Sequence, residues 1–252
     1  MSKIKTPKIL VFSGAGLSAD SGVRTFSGQN GIYGRFKNPE KILTSGTLRE
    51  NPALIHNFCD DLRTSFAAVK PNAAHHALAA LETSYGSSFM HFTQNVDNLA
   101  ERAGNEACVH IHGLLTSMRS IGNSKVLEDI SYHRYWDGDP KLAHPKGFKF
   151  RCCKSNSLFR PDVILFGEQA PLYASFYKAI DNLNEQDIAI VIGTRGEVVS
   201  ISALLYRSPC KKVLINPEKS EFIREDDFNV VLRENAGTSA NTLLEIVKNH
   251  MA

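Results

Sequence analysis

Apolar residues along this chain come in short unbroken runs rather than in strict alternation. Ile9 to Phe12 is the first, and similar runs recur at Phe89–Thr93, Val163–Phe166, Ile188–Ile192, Val213–Ile215 and Val230–Leu232. A run of this kind, with no polar face, fits a strand covered on both sides, as in parallel sheets. Several of the stretches between the runs carry helical spacing. Pro52 to Val69 sets Leu54, Ile55, Phe58, Leu62 and Phe66 three and four apart. Ala73 to Leu81 is rich in Ala and Leu, and Thr242 to His250 interleaves Leu243, Leu244, Ile246 and Val247 with polar residues. Such spacing gives a helix one apolar face. Strands alternating with helices predict an α/β fold, a Rossmann-like doubly wound parallel sheet.

Two stretches break the rhythm. Gly22 to about Glu50 is loop-like and leads into the Pro52 helix; Thr116 to Arg160 is polar and irregular, with Trp136, Pro140, Pro145 and the pair Cys152-Cys153. Both read as insertions that pack together. The expected division of 1–252 is a Rossmann-like part at about 1–32, 70–115 and 161–252, with a smaller module from about 33–69 and 116–160. The 252 residues suffice for one such domain. A net charge of +3 is too small to argue for nucleic acid, and no apolar run is long enough for a membrane span. The start, Met1-Ser2-Lys3, has no apolar signal core, and five irregularly spaced cysteines do not suggest a disulfide framework, so a cytoplasmic location is expected.

The first run enters Ser13-Gly14-Ala15-Gly16-Leu17-Ser18-Ala19. This is G-x-G-x-x-A after a strand, the pattern of loops that hold a dinucleotide pyrophosphate. Gly14 permits the turn, Gly16 lets main chain approach phosphate, and Ala19 allows close packing where a helix presents its N–H groups. The same residues would also serve a plain glycine turn before a helix. A dehydrogenase would add a second strand ending in Asp or Glu roughly 20 residues on. Gly22 to Gly31 occupies that place as a loop carrying Phe26. This argues against hydride transfer and suggests a loop that folds over the cofactor, with Phe26 as its shield.

Further segments follow in order. Ser21-Gly22-Val23-Arg24-Thr25-Phe26, Pro71-Asn72-Ala73-Ala74-His75 and Thr93-Gln94-Asn95-Val96-Asp97-Asn98-Leu99 come first. Then come Arg102-Ala103-Gly104, His110-Ile111-His112-Gly113, Arg160-Pro161-Asp162-Val163, Phe166-Gly167-Glu168, Gly193-Thr194 and Asn216. Together these resemble the sirtuin family, and its bacterial branch in particular. The resemblance implies NAD lying between the two parts of the molecule and an acylated lysine, in a protein or peptide, as partner. In that chemistry the acyl oxygen attacks the anomeric carbon of the nicotinamide ribose and expels nicotinamide. A histidine then activates a ribose hydroxyl, which attacks the resulting imidate; the products are lysine, nicotinamide and O-acyl-ADP-ribose.

The resemblance makes His112, just before Gly113, the catalytic base, and an imidazole with pKa near ~6.5 can take a hydroxyl proton at neutral pH. His110 competes for the role: on a strand-like segment the two would face the same side. Either could also be a hydrogen-bonded structural histidine. Asn95 and Asp97 complete the implied catalytic set, Asn95 ordering the nicotinamide ribose, Asp97 receiving the carboxamide, and Gln94 lining the ribose. Read as residues alone, Asn95 and Asp97 would serve equally well as caps or turn residues. Further cofactor contacts are expected from Gly14, Ala15, Gly16, Ser18, Phe26, Gly193, Thr194, Arg195, Asn216 and Ala236. A substrate peptide would lie as an extra strand between two segments, touching Val163, Phe166, Gly167 and Glu168 on one side and Gly196, Glu197 and Val198 on the other. Backbone pairing of that kind reads little sequence, so broad peptide tolerance is expected.

Four departures qualify the resemblance. The family's structural zinc uses four cysteines, whereas the insertion holds only the adjacent Cys152 and Cys153, with Ser120 near the place of an earlier one. His133 and His144 have no supporting spacing, so the ligand count argues against zinc. Arg195 replaces a family serine and Ser27 a loop arginine. A subgroup that removes acidic acyl groups carries Tyr and Arg three apart where this chain has Cys59 and Leu62, which points to a neutral acyl group such as acetyl. Arg63 stands one residue from that position. The expected activity is therefore an NAD-dependent protein-lysine deacylase. A mono-ADP-ribosyltransferase or NAD hydrolase on the same site and a non-catalytic NAD- or ADP-ribose-binding module are the alternatives.

Overall fold

The computed structural model describes residues 7–23, 39–121, 127–134 and 159–252. The main sheet is six-stranded and parallel. Its strands in chain order are β1 (Ile9–Ser13), β2 (Phe89–Thr93) and β3 (Cys108–His110), then, beyond a second sheet, Ile188–Ile192, Lys211–Ile215 and Val230–Leu232. The second sheet holds β4 (Gly113–Ser120), β5 (Leu127–Asp129) and β6 (Phe159–Val163), paired antiparallel in the order β5-β4-β6. The later strands are thus β7, β8 and β9, and the main order is β3-β2-β1-β7-β8-β9. It reverses direction between β1 and β7, the doubly wound plan, in which ligands bind beyond the carboxyl ends at the reversal.

β1 and β7 are buried throughout, and their successive side chains divide between two faces as a strand's period of two requires. Ile9, Val11, Ile188 and Ile190 pack with Leu78, Leu81, Leu243 and Val247. These come from helices Ala73–Tyr85 and Ala240–Met251. Leu10, Phe12, Ala189 and Val191 pack on the opposite side with Phe176, Ile180, Ile201 and Leu205. The first of those helices starts cleanly because the Asn72 side chain accepts from Ala74 N–H (3.0 Å) and His75 N–H (3.4 Å).

Two expectations are revised, and one strand comes in addition to those expected. The run at Val163–Phe166 is not a main-sheet strand: β6 ends at Val163 and pairs antiparallel with β4. β3 was not legible, being three half-buried residues at the sheet edge. The helix after the glycine loop is a single turn, Gly16–Ala19, so it offers little of a full helix dipole. Helix Pro52–Phe66, capped by the Asn51 side chain on Leu54 N–H (3.3 Å), turns Ile55, Phe58, Cys59 and Phe66 into a core with Leu115, Val163 and Leu165, while Leu54 is exposed. This third core ties the second sheet to the helix.

Candidate active site

The carboxyl ends of β1, β2, β7 and β8 open onto one groove of about 1970 Å³. Gly14, Ala15 and Gly16 follow β1; Gln94 and Asn95 follow β2; Gly193 to Val198 follow β7; Asn216 follows β8 and Ala236 lies beyond β9. All line it, as do His112, Val163, Phe166, Gly167 and Glu168. Ser18 and Asp97 are buried behind the lining, and Phe26 and Ser27 fall outside the described residues.

At the floor two loops meet main chain to main chain. Gly14 N–H donates to the Ile192 carbonyl at 3.0 Å and Gly16 N–H to the Gly193 carbonyl at 2.7 Å. A Cβ on Gly16 would stand 2.6 Å from Gly193 Cα, and Gly193 itself has φ +64°. The glycines therefore serve the approach of these loops to each other, and both glycine N–H groups already have protein acceptors. Thr194 Oγ1 accepts from Gln94 Nε2 (2.8 Å) and Gly196 N–H (3.2 Å), and Asn216 Nδ2 donates to the Thr194 carbonyl (2.7 Å). One threonine thus joins the ends of β2, β7 and β8. Arg195 is exposed on the groove.

Behind Asn95 the polar groups are paired. Asn95 Nδ2 donates to Ser18 Oγ (3.1 Å), and that hydroxyl donates to Asp97 Oδ2 (3.0 Å). Asp97 Oδ1 accepts from Leu99 N–H at 3.1 Å. Burial raises the Asp97 pKa, against the lowering effect of those Leu99 and Ser18 bonds.

His112 lies where the chain leaves the main sheet for the second one. β3 ends at His110, residues 111–112 turn, and β4 starts at Gly113 with φ +87°. The turn separates the two histidines that an uninterrupted strand would have aligned. His110 bonds the Asn95 carbonyl and Glu101, behind the groove wall. His112 faces the groove, where its Nε2 stands 2.7 Å from the Tyr173 hydroxyl. Burial holds the His112 pKa below its usual value, while a bond to the Gln94 main chain works the other way. With the ring donating to a carbonyl, Nε2 is left as the basic nitrogen that accepts from Tyr173. Burial, and then Tyr177, push the Tyr173 pKa up to about 12, so this hydroxyl keeps its proton.

Tyr173 opens helix Tyr173–Asp181, sixty-one residues from His112, and no spacing in the chain links the two. A hydrogen bond to Nε2 favours the neutral ring. Tyr173→Phe is therefore expected to raise the His112 pKa and move the acid limb of kcat/KM to higher pH, with the plateau rate within about threefold of the original. A pH–rate profile of both proteins checks this; an unmoved limb removes Tyr173 from the site.

Glu168 lines the groove, but its carboxylate is engaged elsewhere. Its oxygens pair with the Arg160 guanidinium and accept from Leu165 N–H at 2.8 Å. Burial acts to raise its pKa, yet the Arg160 and Leu165 bonds hold it below the ordinary carboxylate value. One lobe of the lining is apolar, formed by Leu43, Phe58, Cys59, Leu62, Leu115 and Leu165, which pack with one another. Burial pushes the Cys59 thiol up to about 12, so it stays neutral there. Arg63, fully buried, binds Asp60 and the Leu115 and His133 carbonyls and does not line this lobe.

Cys152, Cys153 and His144 lie outside the described residues. Glu101, Cys108 and His110 bring donor atoms within 4.8 Å of one another, the one such trio among the described residues. The His110–Glu101 hydrogen bond at 2.6 Å accounts for the closeness of two of the three.

The Sir2 family model matches residues 14–200. An NAD-dependent protein deacylase of Campylobacter jejuni is 33% identical over 243 residues, 96% of this chain and 97% of that protein. One of Salmonella typhimurium is 36% identical over 207 residues, 81% of this chain and 70% of that one. Among solved structures, a Sir2 homologue mutant in complex with ADP ribose superposes with TM-score 0.78 at 26% identity, covering 96% of this chain and 92% of the other. A Sir2 homologue–NAD complex gives 0.77 at 26%, covering 97% and 91%. With the family match running from the glycine loop of β1 past the turn that follows β7, this chain belongs to the Sir2 family.

Proposed function

We propose that the chain is an NAD-dependent protein-lysine deacylase whose substrates carry a neutral acyl group, with NAD consumed as co-substrate. The observation that carries this is His112 Nε2, the basic nitrogen of a neutral ring, opening onto the groove lined by Gly14, Gln94, Asn95 and Asn216. A base in that position takes a proton from a hydroxyl of a ligand lying along the strand ends. Asn95 and Gln94 orient the ligand beside it, with Asp97 and Ser18 holding Asn95 from behind. The deacylase names of the relatives and the ADP-ribose and NAD complexes of the neighbouring structures support the same reading.

The acyl preference follows from the apolar lobe. A carboxylate placed there would be desolvated, and the two guanidiniums that act on Cys59 already have carboxylate partners, Arg63 with Asp60 and Arg160 with Glu168. The substrate is read as an acylated peptide lying between the Val163–Glu168 and Gly196–Val198 segments. The sequence's cysteine count supports a module without a four-cysteine zinc, and the bacterial relatives support action in the cytoplasm. No helix among the described residues is long and apolar enough to cross a membrane.

The test is a panel of acetyl- and succinyl-lysine peptides with NAD, the products identified by mass spectrometry. O-acetyl-ADP-ribose is expected, with succinyl removal at least about tenfold slower, as for loss of a charge-assisted pair. ADP-ribose without peptide turnover would mark an NAD hydrolase, ADP-ribosylated protein a transferase, and NAD binding without nicotinamide release a non-catalytic module.

A further inference from the structure

Glu101 and His110 sit behind the groove wall and take no part in the chemistry above. His110 closes β3, and Glu101 lies on the short helix Leu99–Arg102. His110 Nδ1 stands 2.7 Å from the Asn95 carbonyl oxygen and Nε2 2.6 Å from Glu101 Oε1. A carbonyl and a carboxylate both accept, so the two bonds coexist when both ring nitrogens carry protons. Asn95 is then held at three points. Its N–H donates to Thr93 Oγ1 at 3.0 Å, its carbonyl accepts from His110, and its side chain donates to Ser18. A wall residue fixed in this way needs no rearrangement when ligand arrives.

We propose that His110, anchored by Glu101, is a positioning residue that sets the Asn95 main chain against the groove, a role separate from that of the base His112 two residues on. The proposal rests on the reading of Asn95 as a ligand contact. The titratable groups around the pair are Cys108 on the same strand, His91 on the adjacent strand, Asp97 on the loop after it, and Glu82 on helix Ala73–Tyr85. Burial acts to lower the His110 pKa, but the bond and charge of Glu101, the Asn95 carbonyl and the Asp97 charge outweigh it and raise the pKa. Cys108 is pushed up by burial and the neighbouring acids and carries no charge. Burial first of all, and His110 next to it, keep His91 down at about 4, so it is neutral as well. The raised pKa widens the pH range over which both bonds stand, and as pH rises through the raised His110 value one of the two is lost.

Two amide substitutions separate the halves of the device. His110→Asn keeps an N–H near the Nδ1 position and drops the Glu101 link. His110→Gln reaches Glu101 and drops the bond to Asn95. With acetyl-lysine peptide, His110→Gln is expected to lose about ten- to hundredfold in kcat at unchanged peptide KM, the factor for one hydrogen bond to a charged group. His110→Asn should stay within about threefold. Glu101→Gln, which removes the charge and keeps a hydrogen-bonding oxygen, should bring the alkaline limb of kcat to lower pH, and it decides alone if His110→Gln does not fold. Equal loss in both His110 variants, or an alkaline limb that Glu101→Gln leaves in place, overturns the proposal. An unmodified chain without deacylation would instead overturn the deacylase reading. The pair is then measured through NAD affinity, expected to fall about tenfold in His110→Gln, and unchanged affinity overturns the role.

Discussion

His112→Ala is expected to lower kcat for deacylation by about 10²–10⁴-fold, the contribution of a positioned general base. NAD binding should change little, because the strand-end loops that line the rest of the groove do not depend on the imidazole. The pH profile gives an independent reading. Burial lowers the His112 pKa, so the ring is neutral and competent through the neutral range. The rate should fall only as pH drops through that lowered value, below the ~6.5 of an unperturbed imidazole, and the alanine variant should lack this limb. Nicotinamide release and peptide turnover measured together from pH 5 to pH 9 check both points. Unchanged turnover would remove His112 from the chemistry.

Gly113→Ala is expected to be nearly as damaging although its side chain would touch no ligand. Gly113 has φ +87°, and a Cβ there would run into the Asp162 carbonyl, with its carbonyl carbon at 2.8 Å and Val163 Cα at 2.9 Å. These are main-chain atoms of β6, held in place by the Gly113–Val163 pairing and by Ile164 N–H donating to the His112 carbonyl at 2.9 Å. The left-handed conformation alone costs an L-residue about 1–3 kcal/mol, and the collision adds to it. The relief open to the chain is a shift of the turn at 111–113, which carries His112 with it. We expect a lower melting temperature together with a loss of kcat of at least about tenfold, a displacement of the base being costly even at small amplitude. A variant with reduced stability and full kcat would show that the turn tolerates the shift.

The two results would explain the His-Gly dipeptide physically. The histidine would supply the base, and the glycine allows the chain to pass from a parallel sheet to an antiparallel one within three residues. The lone threonine after Gly193 has a comparable role, since Thr194 joins three strand ends at once.

Much of this was open to reading in the chain. Continuous apolar runs such as Ile9–Phe12 and Ile188–Ile192 identify doubly covered strands because burial on both faces leaves no polar position. The glycine loop, Gln94-Asn95, His112 and Gly193-Thr194 stand where a parallel sheet brings successive strand ends together, so local motifs far apart in the chain become neighbours by topology alone. Other features could not be read this way. Val163–Phe166 has the composition of a buried strand, but only its pairing with β4 decides to which sheet that region belongs. His110 and His112 are equivalent by spacing; the turn at 111–112 sends one behind the wall and the other onto the groove. Arg63 is an available cation in the sequence, and only its burial against Asp60 keeps it out of the groove lining. Tyr173 carries no local signal, because its partner is brought to it by packing between elements distant in the chain.

By itself, then, the sequence determined five of the six strands of the main sheet, the loops at its carboxyl edge and the residue types available there, since these depend on short-range periodicity and on steric rules of individual residues. The tertiary structure decided which histidine faces the groove, which charges are already paired, and where Tyr173 and Arg63 point, because pairing and desolvation depend on groups that meet only once the chain has folded.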